Sequence, residues 1–216
     1  MATGMGKDAS ESKGHRPEPA TEGTQALAEL MDQNRDRLRR MVRLRMDRRL
    51  QGRIDPSDVI QEAYLEAATR YPEYQRNPTM PAFLWLRFIT GQKLLVLHRR
   101  HLGAQARNAG REVSLYRGAL PEATSAALAA QLVGHRTTPS EPAMRAEMKV
   151  RVQEALNSME PLDREVLSLR HFEQLTNAET AEVLGIQEAA ASKRFIRAIK
   201  RIKEILCSMP GGMEWM

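Results

Sequence analysis

One cysteine in 216 residues, Cys207, leaves no partner for an intramolecular disulfide and fits a reducing compartment. Aromatic residues make up only 5% of the chain, too few for a stacking platform of the kind that binds single strands on a sheet. No apolar run approaches the roughly 18 residues that a membrane span needs. The opening segment, through about Gly23, lacks the apolar centre of a signal peptide, and its glycine, proline, serine and charge read as a disordered tail. Phosphate-binding glycine loops, metal-ligand spacings and nucleophile–base pairs are missing too, so an enzyme is a distant reading and no cofactor or metal is expected. His98 and His101 lie three apart but have no third ligand in view. The expectation is a soluble, cytoplasmic protein without a membrane partner. Its formal net charge of +6 suits a polyanion.

The stretch from Leu175 to Leu206 organises the rest. Thr176 with Glu179 three residues on makes a capping box, so a short helix over Asn177 to Leu184 is expected, with Ala178, Ala181 and Leu184 inward. Gly185 stands where the chain must turn left-handed to end it. A second helix starts near Gln187, and Phe195, Ile199, Ile202 and Leu206 form its inward stripe. Its other sides carry Ser192, Lys193, Arg194, Arg197, Lys200 and Arg201. Short helix, glycine turn and longer basic helix is the pattern of a DNA-binding helix-turn-helix, whose second helix enters the major groove. A helical hairpin with a merely solvated charged face is the plain alternative.

Upstream, Leu27, Leu30, Leu38, Met41 and Val42 share one helical face among many arginines, from Arg35 to Arg49. That run is most simply a solvated face, though it would also suit a phosphate backbone. Asp55 then caps a helix with Pro56 in its first position and Val59, Ala63 and Ala67 as its core stripe. Its outer face, Asp58, Gln61, Glu62 and Glu66, is acidic within a basic protein, which points either to a separate protein partner or to a solvated surface. From Tyr74 to Arg111 there is no acid at all. A loop with Asn77, Pro78 and Pro81 leads into a largely apolar helix that carries exposed Gln92, Lys93, His98, Arg99 and Arg100, a combination suited to DNA and to an unstacked base. Residues 103–143, rich in Ala, Gly, Thr and Pro, read as a flexible linker with one short helical segment. Beyond it, Met144 to Met159 forms an amphipathic helix, and Pro161 opens another, with Val166, Leu167, Leu169 and Phe172 beneath the helix-turn-helix.

Taken together, these motifs resemble the bacterial sigma factors of RNA polymerase, in the extracytoplasmic-function class, over roughly Leu27 to Leu206. DPSDVIQEAYLEA resembles the segment that docks on the clamp helices of the polymerase β′ subunit. FLWLRFITGQKLLVLHRR is similar to the segment that recognises and melts the minus-ten element. MEPLDREVLSLRHFEQLTNAETAEVLGIQEAAASKRFIRAIKRIKEIL is similar to the region that reads the minus-thirty-five element. The resemblance implies an all-α fold of two small helical domains, 24–102 and 144–208, joined by the flexible linker, the second a helix-turn-helix, with tails at 1–23 and 209–216. It implies polymerase contacts at Asp58, Gln61 and Glu62, and minus-ten contacts at Gln75, Arg76, Asn77, Trp85, Gln92, Lys93, His98, Arg99 and Arg100. Minus-thirty-five contacts fall on Ser192, Lys193, Arg194, Arg197, Lys200 and Arg201, with Arg194 and Arg197 matching the family pattern best.

Two departures stand out. Gln92 stands where many relatives have asparagine, and Ala190–Ala191–Ser192–Lys193–Arg194 replaces a Thr-Val-Lys-Ser-Arg type of run. The partners implied are core RNA polymerase, through β′ clamp helices and β flap, promoter DNA, and an anti-sigma protein. The function implied is promoter-specific initiation, with no catalysis of its own. The main alternative, a helix-turn-helix regulator binding an operator without polymerase, predicts a dimer on a palindrome and leaves the acidic helix unexplained. A helical adaptor that binds only protein is a further alternative.

Overall fold

The computed structural model describes residues 19–102, 121–134 and 142–207. The expected tails fall mostly outside those residues, as do 103–120 and 135–141 of the expected linker. Regular structure among the described residues is helical: α1 (Pro19–Arg45), α2 (Pro56–Arg76), α3 (Ala82–Leu102), α4 (Ser125–Gly134), α5 (Pro142–Asn157), α6 (Pro161–Leu167), α7 (Asn177–Leu184) and α8 (Glu188–Cys207). Helix α6 runs on into a π-helical turn, Ser168–Phe172. An isolated bridge, Gln51 to Ile54, lies in the α1–α2 connection.

The local signals explain the helix starts. Asp55 has extended backbone and accepts the Ser57 N–H at 2.7 Å, while Pro56 fills a position whose N–H would be orphaned anyway. Asp58 follows in the positive first turn. Pro161 likewise fills the start of α6, where the Glu160 side chain makes no cap hydrogen bond. Helix α1 begins at Pro19, earlier than the expected Thr24.

Helices α1, α2 and α3 pack on one another, and α4 to α8 form a second group. Helix α3 buries Phe83, Leu84, Trp85, Leu86, Ile89, Leu94 and Leu97 on several sides, so it shows little amphipathic contrast. The two groups are not independent. One hydrophobic core joins Leu38, Val42, Val59, Phe83 and Leu86 to Val166, Leu169, Leu175, Val183 and Leu184. A second joins Leu44 of α1 to Leu128, Val152, Leu156, Leu167, Phe172 and Ile202. Read as a flexible linker, 103–143 implies that the surfaces on either side need not be rigidly fixed to each other. Instead α4, inside that stretch, buries Leu128, Ala129 and Val133 and packs along α5, and the flanking helices share their cores. The reason is apolar area: α4 and the inner faces of α6 and α7 are too apolar to leave in water.

Candidate nucleic-acid interface

The helix-turn-helix forms as its residues dictate. The Thr176 hydroxyl accepts the Glu179 N–H at 3.1 Å, and the Thr176 N–H donates back to the Glu179 carboxylate at 2.7 Å. Gly185 takes the left-handed conformation at φ 62° and ψ 40°, and the Ile186 N–H reaches back to the Ala181 carbonyl at 3.0 Å. Asn177 donates to the Glu188 carbonyl at 3.0 Å and so ties the start of α7 to the start of α8.

The inward stripe of α8 differs in phase from the expectation. Ala191, Ala198 and Ile202 are buried and Phe195 half-buried, whereas Ile199 is exposed; the Leu206 side chain lies outside the described ones. Alanines at 191 and 198 let α8 lie close to its neighbours, and that close approach selects the phase. Lys193 is exposed on the opposite side and Ser192 on the flank. Lys200 and Arg201 are exposed as well, within 4.0 and 3.8 Å of Glu204.

Arg194 and Arg197 turn toward α6. Arg197 donates to Asp163 through Nε at 2.5 Å and Nη2 at 2.7 Å, and Arg194 reaches the same carboxylate at 2.7 Å. Glu160 takes a further contact from each, at 3.0 Å from Arg194 and 3.1 Å from Arg197. Burial would raise the Asp163 carboxyl, but the two guanidiniums outweigh it and hold it below its usual range. Sequence reasoning missed this clamp; the signal was the acid in the first turn after Pro161.

The candidate minus-ten residues divide in three. Gln75, Arg76, Asn77, Arg99 and Arg100 are exposed. Gln92 accepts from Arg70 at 3.4 Å, and Lys93 pairs with Glu66 at 2.9 Å, both at the α2–α3 seam. Trp85 lies in the core, as its place in a largely apolar helix suggests, and one expectation of accessibility, that of His98, is corrected. Trp85 is only 7% exposed, stacked on Tyr74 at 4.5 Å between ring centres and tilted against Tyr71 at 5.9 Å, because α3 presents it to α2 rather than to solvent. His98 is 9% exposed, and its Nε2 accepts the Asp47 N–H at 3.2 Å, so its ring caps the end of α1.

On α2, Asp58, Gln61 and Glu62 are all exposed on one face. Leu65 continues that face, 67% exposed, and was not singled out from sequence. Beside it a cleft of about 430 Å³ runs between α1 and α2, lined by Met31, Ile60, Gln61, Tyr64 and Leu65.

The arginine run of α1, expected to be solvated, contributes one fully buried cation. Arg45 donates to Glu173 at 2.6 Å, to Glu165 at 2.5 Å and to the Pro121 carbonyl at 3.0 Å. Arg87 of α3, also buried, donates to the other Glu173 oxygen at 2.9 Å. Burial works to raise the Glu173 carboxyl, but the two guanidiniums prevail and keep it below its ordinary value. Nearby, Arg37 pairs with Glu179 at 2.6 Å and lies 3.5 Å over the Phe83 ring. These contacts join α1 and α3 to the helix-turn-helix half. No helix among the described residues is long and apolar enough to cross a membrane.

Residues 149–202, from within α5 to within α8, match the family described as Sigma-70, region 4. The chain is 28% identical over 179 residues to the ECF RNA polymerase sigma factor SigD of Mycobacterium tuberculosis and to that of Mycobacterium bovis, over 83% of this chain and 76% of each relative. Among solved structures it is similar to CnrH in complex with the cytosolic domain of CnrY, at 19% identity and a TM-score of 0.48, covering 88% of this chain and 96% of that one. It is also similar to the sigma factor RpoE in complex with the anti-sigma factor NepR from Bartonella quintana, at 17% identity and a TM-score of 0.42, covering 88% and 99%. The region 4 match falls on the helix-turn-helix itself, and the likeness to SigD, a sigma factor of the extracytoplasmic-function class, extends along most of the chain.

Proposed function

We propose that this chain is a sigma factor of the extracytoplasmic-function class, which binds core RNA polymerase and directs promoter-specific initiation, with a division of labour among its surfaces. The exposed face of α2, with Asp58, Gln61 and Glu62, docks on the β′ clamp helices, and Leu65 supplies an apolar centre to that polar rim. Residues 144–208 read the minus-thirty-five element through α8 and also meet the β flap. Residues 24–102 recognise and melt the minus-ten element through the exposed Gln75, Arg76, Asn77, Arg99 and Arg100, with Gln92 and Lys93 at the edge. Buried Trp85 and His98 are left out of that set and act as supports for α2 and α1. An anti-sigma protein enters this reading from the resemblance alone. Sigma factors are in general not enzymes; we extend that to this chain and place its work in the cytoplasm.

The observation that carries the reading is the reversal of charge. A basic protein presents an exposed acidic helix face on α2 and an exposed basic one on α8, which suits one protein partner and one nucleic-acid partner at once. The test is Glu62→Lys in a reconstituted system of this chain, sigma-free bacterial core polymerase and promoter fragments. The variant is expected to keep its helicity and lose polymerase affinity by tenfold or more, corresponding to about 1.4 kcal/mol or more. Unchanged affinity would remove α2 from the polymerase interface. Binding to a palindromic operator by a dimer without polymerase would instead favour a conventional regulator.

A further inference from the structure

The side of α8 opposite its buried stripe carries Ala189, Lys193, Ile196 and Lys200 at helical spacing, and all four are exposed. Ile196 is 64% exposed in the middle of that row. Exposed apolar residues are by themselves ordinary on a protein surface, and Ile199 is also exposed, though less so. Ile196 has a lysine one turn before it and another one turn after, on the face turned away from the rest of the chain. Arg194 and Arg197, by contrast, lie on the flank and are held by Asp163 and Glu160. The face that meets DNA first is therefore the lysine row, and its centre is a branched hydrocarbon.

Lysines on such a face neutralise phosphates at the groove edges and carry little sequence information. In the major groove, the one apolar group that distinguishes a base is the C5 methyl of thymine. We propose that Ile196 reads the methyl of a thymine in the upstream promoter element. The proposal rests on α8 being the element that enters the groove. It makes Ile196 a specificity-determining residue that the family pattern of polar and basic contacts does not supply. Burying one methyl against Ile196 is worth about a fourfold preference for thymine over the same base without it.

Deoxyuridine differs from thymidine in that methyl alone, so the test uses holoenzyme made from the full chain. Duplexes selected for holoenzyme binding first define the upstream element. Each thymidine in it, on either strand, is then replaced in turn. One replacement is expected to weaken binding by about fourfold. Ile196→Ala should weaken binding to the thymidine duplex by a similar factor and abolish sensitivity to that same replacement. The variant removes an exposed side chain, so folding should be little changed, and a thermal melt checks this. The proposal is overturned if no replacement matters, or if Ile196→Ala keeps the wild-type sensitivity. It is also overturned if the variant loses polymerase affinity with no dependence on the methyl, which would place Ile196 on a protein partner. Failure of the wild-type holoenzyme to select any upstream element would overturn the groove-binding reading of α8, and this proposal with it.

Discussion

At the side chain of His98, burial and hydrogen bonding act in the same direction. Burial pushes the imidazole below its ordinary value and Arg49 adds to that, while the neighbouring Asp47 carboxylate opposes it. Asp47 itself is held down at about 2, chiefly by its hydrogen bond with Arg49, so it remains ionised. A ring whose Nε2 accepts the Asp47 N–H is neutral at that nitrogen, and protonation forfeits the bond. The folded value lies below the unfolded one, so the unfolded chain takes up the proton first. Stability from this site is complete above about pH 6.5 and is lost as the pH falls through the depressed folded value. His98→Gln keeps an acceptor in reach and removes the titration. Urea unfolding on either side of about pH 6.5 should show wild type weakening more steeply on acidification than the variant. Equal slopes would mean that another group controls this window.

Among elements, the helix-turn-helix hinges on Gly185. An added Cβ there would meet nothing within 4 Å, so the cost of Gly185→Ala is conformational rather than steric. Holding a non-glycine residue left-handed costs about 1–2 kcal/mol. Gly185→Ala should destabilise the chain by about that much in a denaturant titration, and Gly185→Asn by less, because asparagine tolerates the conformation. This turn was fully legible in the sequence: a Thr-x-x-Glu start, one helix of the right length, then glycine. So was the Asp55–Pro56 start of α2. The phase of α8 was not. Isoleucines at 196, 199 and 202 permit several stripes, and the choice fell to Ala191 and Ala198, whose smallness counts only once a neighbouring helix lies against them. Trp85 carried two readings, a core position in a largely apolar helix and the minus-ten contact that the resemblance implies, and Tyr71 and Tyr74 of the preceding helix hold it in the core.

For the whole molecule the least legible feature was the docking of one half on the other. Nothing local distinguishes Arg45 from the solvated arginines around it, and its partner Glu173 lies 128 residues away, with Arg87 86 residues from the same carboxylate. Three buried charges, Arg45, Arg87 and Glu173, now sit at the junction of α1, α3 and the π-helical turn. A buried cluster of this kind is weak evidence of added stability, but removing Glu173 strands Arg87, for which Glu173 is the ion-pair partner, without water. Glu173→Ala leaves the Arg87 guanidinium buried without its carboxylate, beside an Arg45 that keeps Glu165 and the Pro121 carbonyl, at a cost of about 3–5 kcal/mol if the halves stay docked. Separation of the halves hydrates both cations, so the chain relieves that cost by opening before it unfolds. The expected result is a larger radius of gyration by solution scattering with nearly unchanged helical circular dichroism, and added salt should not restore the compact form, because it screens buried charges poorly. Acid acts the same way on wild type. The Glu173 carboxyl titrates below its unfolded value, so the docked state is fully supported above about pH 4.5 and loosens as the pH falls through the lower folded value. The Asp58–Gln61–Glu62 face and the Lys193–Ile196–Lys200 row are exposed in the docked arrangement, so opening is not needed for either to meet its partner. What opening changes is the distance between them, and a factor that must engage polymerase and two promoter elements together depends on that distance. A compact Glu173→Ala variant that simply unfolds at lower denaturant would show that the junction is a core element rather than a latch.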